Sequence, residues 1–227
     1  MTSELKKRIV TSIVLLVIAL LCITINKEFF YISSVMIGII CFIEWCKINL
    51  KSLTKRRSIV SFLVIISGFI YLFVILQFSM FFMRGDSFED IIFFIFVLFI
   101  CIFSDVGGYV IGKTIGGKKL TSISPNKTIS GSFGSFIFSV LPLFLFSYQN
   151  FIFLNFDLSL KNIFFCLIIS LSCQLGDLII SYFKRLSSVK DSGIILPGHG
   201  GLLDRIDGII FTIIIIPFLD KIIFWVV

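Results

Sequence analysis

Charge is what this chain has least of. Charged residues make up 15% of its 227 residues, against about 25% in an ordinary globular domain. Hydrophobic residues make up 58%, and the mean hydropathy is +1.11; that balance is foreign to a water-soluble fold of this length. Histidine occurs once, and none of the six cysteines (Cys22, Cys41, Cys46, Cys101, Cys166, Cys173) forms a C-x-x-C pair. A zinc site therefore has no ligand cluster, and the thiols read as buried packing residues rather than as disulfides. The chain also lacks an internal repeat and a low-complexity linker.

What the chain has instead is apolar runs, at 9–25, 29–46, 59–83, 88–112, 132–153, 160–183 and 208–227. Several approach or exceed the ~20 apolar residues needed to cross a bilayer. The expectation is an all-α, polytopic integral membrane protein with about seven transmembrane helices and cytoplasmic catalytic loops. Residues 1–103 would form a scaffold of N-terminal spans and residues 104–227 the catalytic transmembrane region, within one membrane domain overall. Lys6, Lys7 and Arg8 precede the first run as in a signal peptide, but the run is long and no small-x-small site follows, so it reads as an uncleaved span. Asp220 and Lys221 interrupt the last run, whose end would lie in the interface. Phenylalanine is abundant and reads as lipid-facing or packing surface.

The net charge of +7 raises nucleic acid as a partner, but its distribution argues against one. Of 20 Lys and Arg residues, 16 fall in the segments Lys6–Arg8, Lys47–Arg57, Lys113–Lys127 and Lys184–Arg205. These alternate with loops holding only Lys27, Arg84, Lys161 and Lys221. Basic bias in alternate loops is the positive-inside pattern. It places the N-terminus and the loops 47–58, 113–131 and 184–207 in the cytoplasm.

Two spans carry polar residues that lipid penalises. In the sixth, Ser170, Gln174, Asp177 and Ser181 recur at intervals that put them on one helical stripe. In the fourth, Asp105, Gly108, Tyr109 and Gly112 share a face, and the glycines admit a helix or a ligand close to the backbone. An ionisable residue in a span costs about +2.5 to +3.5 kcal/mol on insertion scales, which makes each a functional candidate.

The densest chemistry lies in "KRLSSVKDSGIILPGHGGLLDRID", residues 184–207. With Asp177 it offers four carboxylates, Asp177, Asp191, Asp204 and Asp207, beside the cations Lys184, Arg185, Lys190 and Arg205. Hard oxygen ligands suit Mg²⁺, which takes one or two carboxylates, waters and phosphate oxygens. "PGHGG" can offer backbone amides to anions, with His199 read as a loop-ordering residue before a proton carrier. A second loop, "GKTIGGKKLTSISPNKTISGSFGS" (112–135), interleaves glycines with Lys113, Lys118, Lys119 and Lys127. It is not a Walker A loop, because a helix and not a strand precedes it.

Ser181 to Asp207 resembles the signature of the CDP-diacylglycerol synthases, or phosphatidate cytidylyltransferases: S-x-F-K-R, then K-D, then P-x-H-G-G-x-x-D-R-x-D. "SDVGGYVIGKTIGG" and "SPNKT-x-x-G" upstream are similar to the same family, so the motif resemblance covers residues 104–215. Members commonly carry Trp-Glu where this chain has Ile129-Ser130. The resemblance implies CMP transfer from CTP to phosphatidate at the inner membrane face, with Mg²⁺ or Mn²⁺ as cofactor, room for a second cation, and a homodimer as an oligomeric option. It makes Asp177 and Asp204 metal ligands, and Lys184, Arg185, Lys190, Asp191, Arg205 and Asp207 their catalytic companions. Asp105, Lys113, Ser124, Lys127, Thr128, His199, Gly200 and Gly201 would bind substrate. A CTP-dependent polyprenol or phytol kinase is the nearest alternative. A cation transporter using Asp105 and Asp177 is the alternative from another class.

Overall fold

The computed structural model describes residues 3–53, 66–68, 88–148, 156–196 and 200–223. Their regular structure is helical: α1 (Ser3–Thr24), α2 (Lys27–Leu53), α3 (Phe88–Ile115), α4 (Ile129–Ser139), α5 (Leu141–Tyr148), α6 (Leu160–Leu186) and α7 (Leu203–Ile223). Among the described residues there is no strand, only the isolated bridges Lys119–Thr128 and Leu196–Gly200. Among the described residues four stretches are long and apolar enough to cross a membrane: Lys27–Asn49, Ile91–Ile115, Ile129–Tyr148 and Leu160–Leu186. The expected third run lies outside the described residues apart from 66–68. In α7 the stretch between Asp207 and Asp220 would rise only about 18 Å at 1.5 Å per residue, short of the ~30 Å hydrocarbon core.

Helix ends follow from local chemistry. Asn26 caps α2, its side-chain oxygen accepting from the Phe29 amide at 2.7 Å, and this turns the chain directly out of α1. The run expected as one span at 132–153 is divided at Val140 into α4 and α5. Pro142 is the cause, since it has no amide to donate and its ring crowds the carbonyl four residues back. α6 ends in a Schellman turn: the Val189 amide reaches the Lys184 carbonyl at 3.0 Å and the Ser188 amide the Arg185 carbonyl at 3.0 Å. Ser188 takes the left-handed position, with φ of 55°.

By packing the chain divides into two units, whose boundaries fall inside α6 and α7. One comprises Met1–Gly85 with Tyr182–Ile206, the other Asp86–Ser181 with Asp207–Val227. In the first, Trp45 of α2 sits edge-on to Phe183 with ring centroids 4.8 Å apart, and Cys41, Ile48 and Leu203 are buried.

In the second, Phe96, Phe146, Phe156 and Phe165 form a contiguous aromatic cluster, so these phenylalanines pack rather than face lipid. α3 and α4 meet backbone to backbone. A Cβ on Gly134 would lie 2.6 Å from the Gly107 carbonyl oxygen, and one on Gly131 would lie 2.8 Å from that of Gly108. The glycine face of the fourth span thus receives another helix. Gly176 makes a similar approach to the Asp207 carbonyl on α7, at 2.8 Å for an added Cβ.

Overpacking a closed contact of this kind costs about 1–3 kcal/mol. Gly134→Val is therefore expected to lower the melting temperature of the detergent-purified protein. Phe133→Leu, at an exposed neighbour, should leave it unchanged. Equal melting temperatures for both variants would show that α3 and α4 are not in contact here.

Candidate active site

In the unit built on α3, α4 and most of α6, the polar stripe of α6 is real and each member has a partner. The Ser170 hydroxyl meets that of Ser104 on α3 at 2.8 Å. Gln174 accepts from Ser132 of α4 at 2.5 Å and donates to Ser170 at 3.3 Å. Asp177 forms an ion pair with Lys127 and accepts from Ser181 at 3.3 Å. Two groups of polar contacts therefore share one stripe of the helix, one around Ser170 and Gln174 and one around the partly exposed Lys127–Asp177 pair.

The loop between α3 and α4 delivers Lys127. Gly116 and Gly117 turn it with φ of 64° and 104°. The Leu120 amide then bonds the Lys127 carbonyl at 2.8 Å, and the Ile129 amide bonds that of Lys118 at 3.0 Å. Ser124 closes the tip, its carbonyl accepting from the Lys127 amide at 3.0 Å. Thr128 caps α4 through the Gly131 amide at 3.0 Å. Ser130 donates to the Gly116 carbonyl and so fastens the base of this hairpin. Asp105 is exposed and takes a weak bond from the Cys173 thiol at 3.8 Å. Lys113 lies 5.5 Å above the Tyr109 ring. Asp207 is buried at the start of α7.

In the other unit the charged loop is organised around Asp204. One carboxylate oxygen accepts from Lys184 Nζ at 2.8 Å; the other accepts from the Ser192 amide at 2.8 Å and the Gly201 amide at 3.1 Å. Both side chains are largely buried. The Leu196–Gly200 bridge ties the loop's neck, with bonds of 2.9 and 3.2 Å, and Gly200 has φ of 88°. Asp191 approaches Gly200 closely. Arg185 reaches the Val189 carbonyl at 3.4 Å. Arg185, Lys190, Asp191 and Arg205 are exposed. His199 lies outside the described residues.

One residue of this unit went unread in the sequence. Glu44 of α2 is 1% exposed and accepts from the Ser192 hydroxyl at 2.9 Å, the Leu202 amide at 3.1 Å and the Leu203 amide at 2.9 Å. Its signal was the one that singled out Asp177: a carboxylate inside an apolar run.

Residues 51–223 match the model of the family described as the cytidylyltransferase family. A Rickettsia conorii protein named phosphatidate cytidylyltransferase is 37% identical over 226 residues, covering 97% of this chain and 92% of its own length. A Rickettsia typhi protein of the same name is 35% identical, covering 90% of this chain and 87% of its own. A Staphylococcus epidermidis protein of that name is 43% identical over 127 residues, 55% of this chain and 47% of its own.

Burial pushes the Asp204 carboxyl up, but the Lys184 ammonium with the Ser192 and Gly201 amides outweighs it, and the pKa lies below the ordinary 3.8. A carboxyl depressed in the folded state adds stability that is complete above its unfolded pKa and lost as pH falls through the folded one. The window is therefore below about pH 4. Asp204→Asn should be less stable than the parent at pH 7 and lose less on acidification across that window. Parallel melting curves against pH for the two proteins would contradict this.

Proposed function

The chain belongs to the cytidylyltransferase family, and from that premise we infer that it transfers CMP from CTP to phosphatidate, forming CDP-diacylglycerol and pyrophosphate. It is a nucleotidyltransferase of phospholipid synthesis, set in apolar helices of membrane-crossing length. The observation that carries the reading within the molecule is the Lys127–Asp177 pair: a loop lysine held against a carboxylate of an apolar helix, on the same stripe as the partnered Ser170 and Gln174.

The chemistry asks for little more than charge management. A phosphate monoester has a second pKa near about 6, so the attacking oxygen of phosphatidate is already anionic at neutral pH. It forms a bond to the α-phosphorus of CTP while the bond from that phosphorus to the pyrophosphate oxygen breaks. The electron pair leaves with pyrophosphate, and no proton need be removed by the protein. The barrier is repulsion between two polyanions, which fixed cations relieve best where water is scarce. Lys127 and Lys184 are the anchored cations suited to this, each held by a carboxylate. Lys113, Arg185, Lys190 and Arg205 add exposed positive charge.

Mg²⁺, or Mn²⁺ in its place, would supply further neutralisation at the phosphate oxygens. Asp177 and Asp204 fit it, each within its own unit: Asp177 is half-exposed, and Asp204 has one oxygen with a single donor. Mg²⁺ takes one or two carboxylates, keeps several waters and draws its other ligands from substrate phosphates. The Lys and Arg bias supports a cytoplasmic position for the loops 113–131 and 184–207, where CTP is present.

The test is turnover of phosphatidate and CTP by the purified protein in detergent. Asp177→Asn and Lys127→Met should each lower kcat by about 10²-fold or more, the scale of losing one preorganised charge-stabilising group. Excess EDTA should stop turnover, and Mg²⁺ or Mn²⁺ should restore it. Near-normal kcat in Asp177→Asn at saturating Mg²⁺, or full activity in chelator, would overturn the assignment.

A further inference from the structure

Glu44 is a carboxylate sealed inside an apolar helix, yet its bonds go to a hydroxyl and two backbone amides of the charged loop. The two amides belong to Leu203, the first residue of α7, and to Leu202 before it. The first amides of a helix have no intrahelical partner, and negative charge is favoured there by the aligned peptide dipoles. Glu44 therefore caps α7 from a different helix.

The approach is close. A Cβ on either Gly193 or Gly201 would run into the Glu44 carboxylate, and one on Gly201 would also strike the Ser192 hydroxyl. These glycines let the loop backbone lie against the carboxylate. Ser192 joins the two acidic centres of the unit, giving its hydroxyl to Glu44 and its amide to Asp204. The next residue along α2, Trp45, packs edge-on to Phe183, the neighbour of Lys184. Consecutive residues of α2 thus grip the chain beside both partners of the Lys184–Asp204 pair: Trp45 beside the lysine, Glu44 beside the aspartate.

We propose that Glu44 is a positioning residue for the transfer reaction, a buried cap that fixes the start of α7 and so sets the geometry of the Lys184–Asp204 pair. It does not touch substrate: both its oxygens are engaged and almost none of it is exposed. The functional part of this proposal rests on the cytidylyl-transfer reading; the structural part does not. Glutamine is the informative replacement, because it keeps size but sets an NH₂ donor against donors. A displacement of about 1 Å at a reacting group can cost about 10²-fold in rate.

The experiment uses the full chain in detergent, with two variants and two readouts. Hydrogen–deuterium exchange of peptides spanning 192–207 reads the hold on the loop, with peptides from α3 and α4 as the folding control. Steady-state kinetics with phosphatidate, CTP and Mg²⁺ read the reaction. For Glu44→Gln, loop exchange should quicken at least about tenfold while α3 and α4 stay protected, and kcat should fall about 10²-fold with KM for phosphatidate within about threefold. Ser192→Ala, which removes one bond and leaves the amides capped, should show the same changes to a smaller degree. It decides the matter if the glutamine variant does not fold. Unchanged loop exchange in a folded variant, or kcat within about twofold of wild type in both variants, would overturn the proposal. Absence of turnover in the wild-type protein would instead sink the cytidylyl-transfer reading, and the exchange result would still decide whether Glu44 holds the loop.

Discussion

A charge or an amide left unpartnered in an apolar surround is costly, and that cost organises the polar parts of this fold. Three carboxylates illustrate three solutions. Asp177 pairs with Lys127 and accepts from Ser181. Asp204 combines one lysine with two backbone amides. Glu44 relies on a hydroxyl and two amides at a helix start. In each case satisfying the carboxylate also fixes a segment of irregular chain: the α3–α4 hairpin through Lys127, and the loop after α6 through Ser192, Gly201 and Leu203. These loops are held by the same bonds that make their charges tolerable.

Much of this was legible before any coordinates. Period 3.6 placed Ser170, Gln174, Asp177 and Ser181 on one face, and every one has a partner along that stripe or across from it. The apolar runs marked where α1, α2, α3, α6 and α7 lie, because helix is the economical way to close backbone bonds in lipid. What composition cannot give is the partner of a group distant in sequence. Lys127 read as a substrate-binding lysine of a basic loop; its partner Asp177 lies fifty residues away, reached through a hairpin that leaves α3 at Gly116 and Gly117. Glu44 carries the same signal as Asp177, a carboxylate in an apolar run, but its role is set by three donors some 150 residues downstream. The break at Val140 was readable in Pro142 but hidden by the hydrophobicity around it.

The glycines divide into two kinds by the same physics. Gly116, Gly117 and Gly200 have backbone angles that side chains resist. Gly107, Gly108, Gly131 and Gly134 bring two helices together, while Gly193 and Gly201 bring a loop onto a carboxylate. A glycine-rich loop suggested flexibility for wrapping phosphate; in this chain several of those glycines are sites of close, fixed approach.

Such rigidity suits a reaction whose difficulty is holding two polyanions together rather than moving a proton. Cytidylyl transfer and phosphoryl transfer both use CTP but break different bonds in it. The most direct measurement is the fate of label when purified protein, phosphatidate and Mg²⁺ are given CTP labelled either at the α- or at the γ-phosphorus. The account predicts label in the lipid from the α-position alone, with one pyrophosphate released per lipid formed. Label entering the lipid from the γ-position would contradict it.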